Sequence, residues 1–151
     1  MPFFHGKPQW RNADIAFEYT EDEWNIIQRC SEDPIYFIEN YCTFLTDYGR
    51  KTVNLRQYQK DVIHLMCDEY YSPEFELMLP SHRRVVLLQS RQTGKTTTTA
   101  AIFAWYLTFH NDKNAMVVAN KGDTAEEILG KMSDVLKGLP FFLKPGVTSV
   151  S

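Results

Sequence analysis

The run Ser90-Arg91-Gln92-Thr93-Gly94-Lys95-Thr96-Thr97 brings together, in order, the groups that can hold a chain of phosphates. It follows an apolar run, Val85-Val86-Leu87-Leu88, and leads into a helix-compatible segment from Thr96. Strand, tight loop, Gly-Lys-Thr and helix form the layout of a phosphate-binding P-loop. Backbone N–H groups of the loop and of the helix N-terminus cradle phosphate oxygens. Gly94 lets the backbone approach without a Cβ in the way. Lys95 places a point charge on the outer phosphates, and the Thr96 hydroxyl can ligate Mg²⁺. The usual pattern opens with another glycine, and Gln89 stands there instead. A bare Gly-Lys-Thr also fits a glycine turn before a helix with Lys95 simply exposed.

Other residues extend the pattern. Leu55-Arg56-Gln57-Tyr58-Gln59 lies upstream of the loop. An amide at Gln59 offers a donor and an acceptor that match the N6/N7 edge of adenine. Tyr58 either stacks on a base or packs into a helix face with Val62. Arg91, inside the loop, has phosphate as an obvious anion partner and can stabilise transition-state charge in cis; a salt bridge elsewhere is the alternative. Ile63 to Glu69 imitates a strand ending in Asp-Glu. It continues the helical period of Tyr58, however, and His64 interrupts its apolar run, so an exposed acidic helix end is expected. Asn120-Lys121-Gly122-Asp123, after the second expected strand, stands where a loop could touch nucleic acid or nucleotide; the expected reading is a turn, with Asp123 or Thr124 capping the next helix. His5, His64, His82 and His110 have no catalytic or metal spacing.

These groups need elements to position them. Thr20-Glu21-Asp22-Glu23 is a capping box, predicting a helix to about Ser31 with Trp24, Ile27 and Cys30 inward. Asp33-Pro34 starts another. Asp47-Tyr48-Gly49-Arg50 reads as a turn, and Leu55 to about Tyr70 as a helix. Pro73 and Pro80 bracket a loop. Val85 to Gln89 is expected as a buried strand, Thr96 to about Phe109 as a helix, and Asn111 to Asn114 as a turn. Met116 to Ala119 is expected as a second strand and Thr124 to Lys137 as a helix, stopped by Gly138-Leu139-Pro140. Strand–helix–strand–helix from Val85 predicts a parallel α/β sheet behind an α-helical lead-in. The expected division is 1–52 for arm and lead-in and 53–151 for the first part of a P-loop domain.

The 151 residues are enough for one domain with a core, and 44% hydrophobic content with 14% aromatics argues against disorder. A net charge of −3 argues against a dominant basic face for nucleic acid. Arg83 and Arg84 carry no pattern that assigns them to DNA. Cys30, Cys42 and Cys67 are widely spaced and read as reduced thiols rather than a zinc site. No segment reads as a signal peptide or membrane span.

Ser90 to Thr97 resembles the variant P-loop of large terminase subunits from tailed bacteriophages, the myovirus type above all. Leu55-Arg56-x-Tyr58-Gln59 resembles that family's adenine-recognition segment. Asp33 to Ile38, Ala119 to Gly122 and Leu139 to Gly146 add further likenesses in the family's order. The resemblance implies a helicase/terminase-like P-loop fold and an ATP-driven motor that packages double-stranded viral DNA into a procapsid. It implies a C-terminal nuclease domain, a homo-oligomeric ring on the portal protein, and a small terminase subunit as partner, in the host-cell cytoplasm. Carried over by position, Lys95 and Thr96 serve phosphate and Mg²⁺, Gln59 reads adenine, and Arg91 is the cis arginine. No strand ending in Asp-Glu follows Lys95, so these residues are expected to hold an incomplete ATPase domain that does not hydrolyse ATP alone. Such a piece is expected to be marginally stable or self-associating. A helicase-type NTPase fragment and a non-hydrolysing nucleotide- or partner-binding stub are the competing expectations.

Overall fold

Thr20 and Asp33 fix the first two helices. In the computed structural model, which describes residues 2–81, 84–111 and 113–149, α1 runs Glu21–Glu32 and α2 runs Pro34–Tyr41. Thr20 closes a capping box with Glu23, as the sequence predicts. The Asp33 carboxylate accepts from the Tyr36 amide at 2.9 Å, with Pro34 in the first turn. Cys30 is buried, while Trp24 stays 52% exposed rather than inward. His82, Arg83, Asp112 and Ser151 lie outside the described residues.

An N-terminal arm carries β1 (Arg11–Asn12). After α2 the chain forms a hairpin, β2 (Thr43–Thr46) and β3 (Gly49–Thr52), where the sequence suggested only a turn. Next come α3 (Gln57–Cys67) and a second hairpin, β4 (Glu69–Ser72) with β5 (Leu77–Pro80). That hairpin corrects two expectations. The helix predicted to reach Tyr70 stops at Cys67, and of the span between Pro73 and Pro80 the second half, Leu77–Pro80, is paired while 73–76 turns. Then α4 (Lys95–Phe109) and α5 (Gly122–Gly138) pack against each other, before β6 (Gly146–Val147) returns to pair in parallel with β1. Edge-to-face contacts of Phe3 and Phe17 with Phe141 hold the arm on this returning segment.

One core unites the helices: Phe37 and Ile38 of α2, Ile63 of α3, Ala101, Ile102, Ala104 and Trp105 of α4, and Val135 and Leu136 of α5. The Trp105 indole N–H is also buried, and it donates to the Cys30 carbonyl at 2.8 Å, tying α4 to α1.

The architecture is mixed α/β, but among the described residues the parallel sheet expected from Val85 onward is not formed. Residues 85–89 and 116–119 have no ladder partner among the described residues. Val86 is 96% exposed, Leu88 fully so, and Met116 and Val118 nearly as much. An apolar run of this kind becomes a strand through neighbouring ladders and cover on both faces. Among the described residues those neighbours are missing, and the run stays unpaired. Among the described residues the sheets are two-stranded, and the parallel pair is β1 with β6, far from the segments the sequence singled out.

Candidate nucleotide-binding site

The loop between Ser90 and Lys95 turns an extended chain into the first turn of α4. It does so with two left-handed residues, Gln92 at φ 60° and Gly94 at φ 76°. Glycine takes that conformation without a Cβ clash. Gln92 takes it at a cost that the surrounding contacts must offset. The Thr93 hydroxyl donates to the Ser90 carbonyl at 3.1 Å and closes the turn. Gly94 is the N-cap of α4, and its carbonyl accepts from the Thr98 amide at 2.9 Å.

The amides of the first α4 turn have no acceptor within the helix, and no side chain caps them. They open a 15-residue helix whose dipole favours an anion at this end. Lys95 begins the helix and is exposed, as are Arg91 and Gln92; Thr96 and Thr97 are half-buried. Among the described residues, neither Lys95 nor Arg91 is in an ion pair. Two cations, free amides and hydroxyls follow one another along this turn, and these are groups that can bond phosphate oxygens.

The N-terminus of α3 is brought against this loop. The Tyr58 hydroxyl donates to the Thr93 carbonyl at 2.8 Å. Gln59 Nε2 donates to the same carbonyl at 3.4 Å and to the Thr98 hydroxyl at 3.2 Å. Gln59 Oε1 accepts from the Arg56 amide at 2.9 Å. Glu39 anchors this segment from α2, accepting from the Leu55 amide and pairing with Lys60 at 2.9 Å. Thus Tyr58 does not choose between base and core: its hydroxyl holds the loop while its ring lines a cavity.

That cavity of about 290 Å³ is lined from both the β2–α3 region and the loop. Tyr58, Gln59, Gln92, Thr93, Gly94 and Thr97 line it, whereas Ser90, Arg91, Lys95 and Thr96, the other members of the sequence-predicted set, do not; Lys95 lines a small neighbouring cavity with Gln59, Thr93 and Thr98. Phe44, Val53 and Asn54 line the larger cavity too, and no sequence signal singled them out. Also missed was Thr98, which is 4% exposed; its hydroxyl donates to the Gly94 carbonyl at 3.0 Å. The run of threonines from Thr96 to Thr99 held that signal, since a hydroxyl one turn into a helix can bond back to the N-cap carbonyl.

Other candidates fall outside the cleft. Ile63 to Cys67 is helical, as the period suggested, and His64 faces Asp68 at 3.2 Å. Gly122 begins α5 with no side-chain cap, which corrects the caps expected from Asp123 or Thr124. The three thiols are free and buried; desolvation pushes Cys30 and Cys67 up to about 12 and Cys42 higher still, which leaves them protonated and unreactive. No helix among the described residues is long and apolar enough to cross a membrane.

The stretch from the apolar run through the loop, α4 and α5 also matches a known family. Residues 86–148 match the family model described as terminase large subunit, T4-like-virus type, N-terminal, which bears out the resemblance to the N-terminal part of large terminase subunits.

Proposed function

We propose that this chain binds ATP with Mg²⁺ in the cleft between residues 53–59 and 92–98. In this reading it is the nucleotide-binding portion of a terminase large subunit, the motor that packages double-stranded viral DNA into a procapsid. The observation that carries the reading is the uncapped α4 N-terminus, which starts at exposed Lys95 and whose loop residues Gln92, Thr93 and Gly94 line one cavity with Tyr58 and Gln59. Ser90, Gln92, Thr93 and Gly94 shape the loop, and its amides with those of Lys95, Thr96 and Thr97 hold the phosphates. Lys95 neutralises the outer phosphates, the Thr96 hydroxyl is the Mg²⁺ ligand, and Arg91 supplies charge to the transferring phosphoryl group. Bound Mg²⁺ would neutralise the charge that develops on the phosphate oxygens. The family resemblance adds the partners: portal protein, small terminase subunit and further copies of the chain in a ring, in the host-cell cytoplasm.

No carboxylate lines the cavity beside the loop among the described residues. In a packaging ATPase of the family this chain resembles, a Glu would activate the attacking water. This favours a second reading for these 151 residues taken alone: nucleotide is held and not turned over.

Calorimetric titration of Mg-ATP into the wild type and Lys95→Ala tests the proposal. Loss of the lysine weakens binding by at least about tenfold, equivalent to ~1.4 kcal/mol. Equal affinities would remove the loop from the site. Turnover by the wild type would remove the second reading.

A further inference from the structure

Arg11 stands apart from the nucleotide cleft, on β1, opposite Gly146 of β6. Another cavity, of about 100 Å³, lies here, lined by the arm, α1, the end of α4 and residues 142–145. Its walls include Arg11, Tyr19, Trp24, Ile27, Phe142 and Lys144, and no carboxylate among the described residues. Neither cation is in an ion pair among those residues. Lys144 is buried, and two of its three N–H groups go to the Leu136 and Lys137 carbonyls. Its charge thus serves the C-terminal end of α5, where the helix dipole balances part of it. Arg11 has no such counterpart. Its Nη1 donates to the Tyr19 hydroxyl, while its Nε is buried without a partner. A buried charged donor left unpaired is costly and calls for an acceptor. We infer that this cavity receives one carboxylate side chain, the Asp or Glu of an acidic peptide on a partner protein, and that Arg11 binds it.

With Nη1 on Tyr19, the guanidinium edge formed by Nε–H and Nη2–H is the one that can meet two oxygens of a carboxylate. The Tyr19 ring lies 5.9 Å from the Arg11 Cζ, and with the hydroxyl it fixes the guanidinium before a ligand arrives. The volume takes several water-sized groups but not a drug-sized ligand. One side chain enters, and the rest of the ligand stays outside. A phosphate suits a guanidinium equally well. The walls favour the carboxylate. Trp24, Ile27 and Phe142 offer apolar surface to the methylene stem of Asp or Glu, whereas a phosphate group is polar on every side. Trp24 lines the cavity and is still half-exposed, so it can cover the peptide beyond that side chain.

The experiment follows the Arg11 Nε–H signal of the intact chain by heteronuclear NMR. The probes are N-acetyl-glutamic acid α-amide, N-acetyl-glutamine α-amide and methyl phosphate. The acid moves the signal and binds at least about fivefold more tightly than the glutamine compound. It also binds more tightly than methyl phosphate. Arg11→Lys keeps the charge without the fork and weakens the acid by at least about fivefold. A signal unmoved at the highest acid concentration, a smaller preference over the glutamine compound, or a smaller loss in a folded Arg11→Lys would each overturn the inference. Methyl phosphate binding as tightly as the acid, or more so, would overturn the peptide carboxylate and give the cavity to a phosphate-bearing ligand. The wild-type titrations decide the matter even if Arg11→Lys does not fold.

Discussion

Gly94 and Gly130 make opposite demands on the same substitution. A Cβ on Gly94 would sit 2.7 Å from Gln59 Nε2, on a backbone held at φ 76°. The left-handed conformation costs a non-glycine residue about 1–2 kcal/mol. The Gln59 amide, at the end of a flexible side chain, can retreat, but it then leaves the Thr93 carbonyl and the Thr98 hydroxyl. Each of those bonds is worth about 0.5–1.5 kcal/mol net. Gly94→Ala therefore costs about 2–5 kcal/mol by these terms. Gly130 lies inside α5 with open space where its Cβ would go. Gly130→Ala stabilises by about 0.5–1 kcal/mol through the lost entropy of the unfolded chain. Urea unfolding of the three proteins reads both signs, with nucleotide titration as the second readout. Gly94→Ala should lose stability and nucleotide affinity together, and Gly130→Ala should keep the affinity. A Gly94→Ala protein within 0.5 kcal/mol (about the scatter of neutral surface changes) of the wild type would refute the assigned geometry.

Other perturbations test the fold and its electrostatics. Trp105→Phe leaves the buried Cys30 carbonyl without its 2.8 Å donor, and the urea midpoint should fall by the equivalent of about 1–3 kcal/mol at unchanged slope. Lys144 is buried with its ammonium on the Leu136 and Lys137 carbonyls, and desolvation, with Arg50 nearby, lowers it from 10.5 to about 8. The unfolded chain therefore holds that proton to higher pH than the folded one, and stability rises between pH 8 and 10.5 relative to Lys144→Met. A pH-independent difference between the two proteins would contradict the buried ammonium. Val86 and Leu88 are exposed and unpaired, so Val86→Thr with Leu88→Gln should change folded-state stability by no more than about 0.5 kcal/mol while reducing concentration-dependent association in sedimentation velocity. A loss of stability well beyond that would show the segment to be buried.

Local chemistry made part of this molecule legible from its residues. Thr20 with Glu23, and Asp33 with Pro34, announce helix starts because their signals are satisfied within four residues. Gly94 was readable for the same reason: its left-handed turn and the helix behind it depend on neighbours in sequence. The hairpins at 43–52 and 69–80 were not, since each is decided by register between two weakly patterned strands. Val85 to Gln89 shows the converse error. Its composition is that of a buried strand, but strand formation depends on partners that composition cannot supply. In the site, residue types brought Lys95, Thr96, Arg91, Tyr58 and Gln59 into view. The contact from Gln59 to Thr98, thirty-nine positions apart, is a product of tertiary packing and leaves no trace in spacing.

Amide hydrogen exchange with and without Mg-ATP tests the central claim most directly. The account predicts new protection confined to the amides of Gln92 to Thr98 and to residues 53–59, absent in Lys95→Ala. Protection elsewhere, or none at the start of α4 at saturating nucleotide, would contradict it.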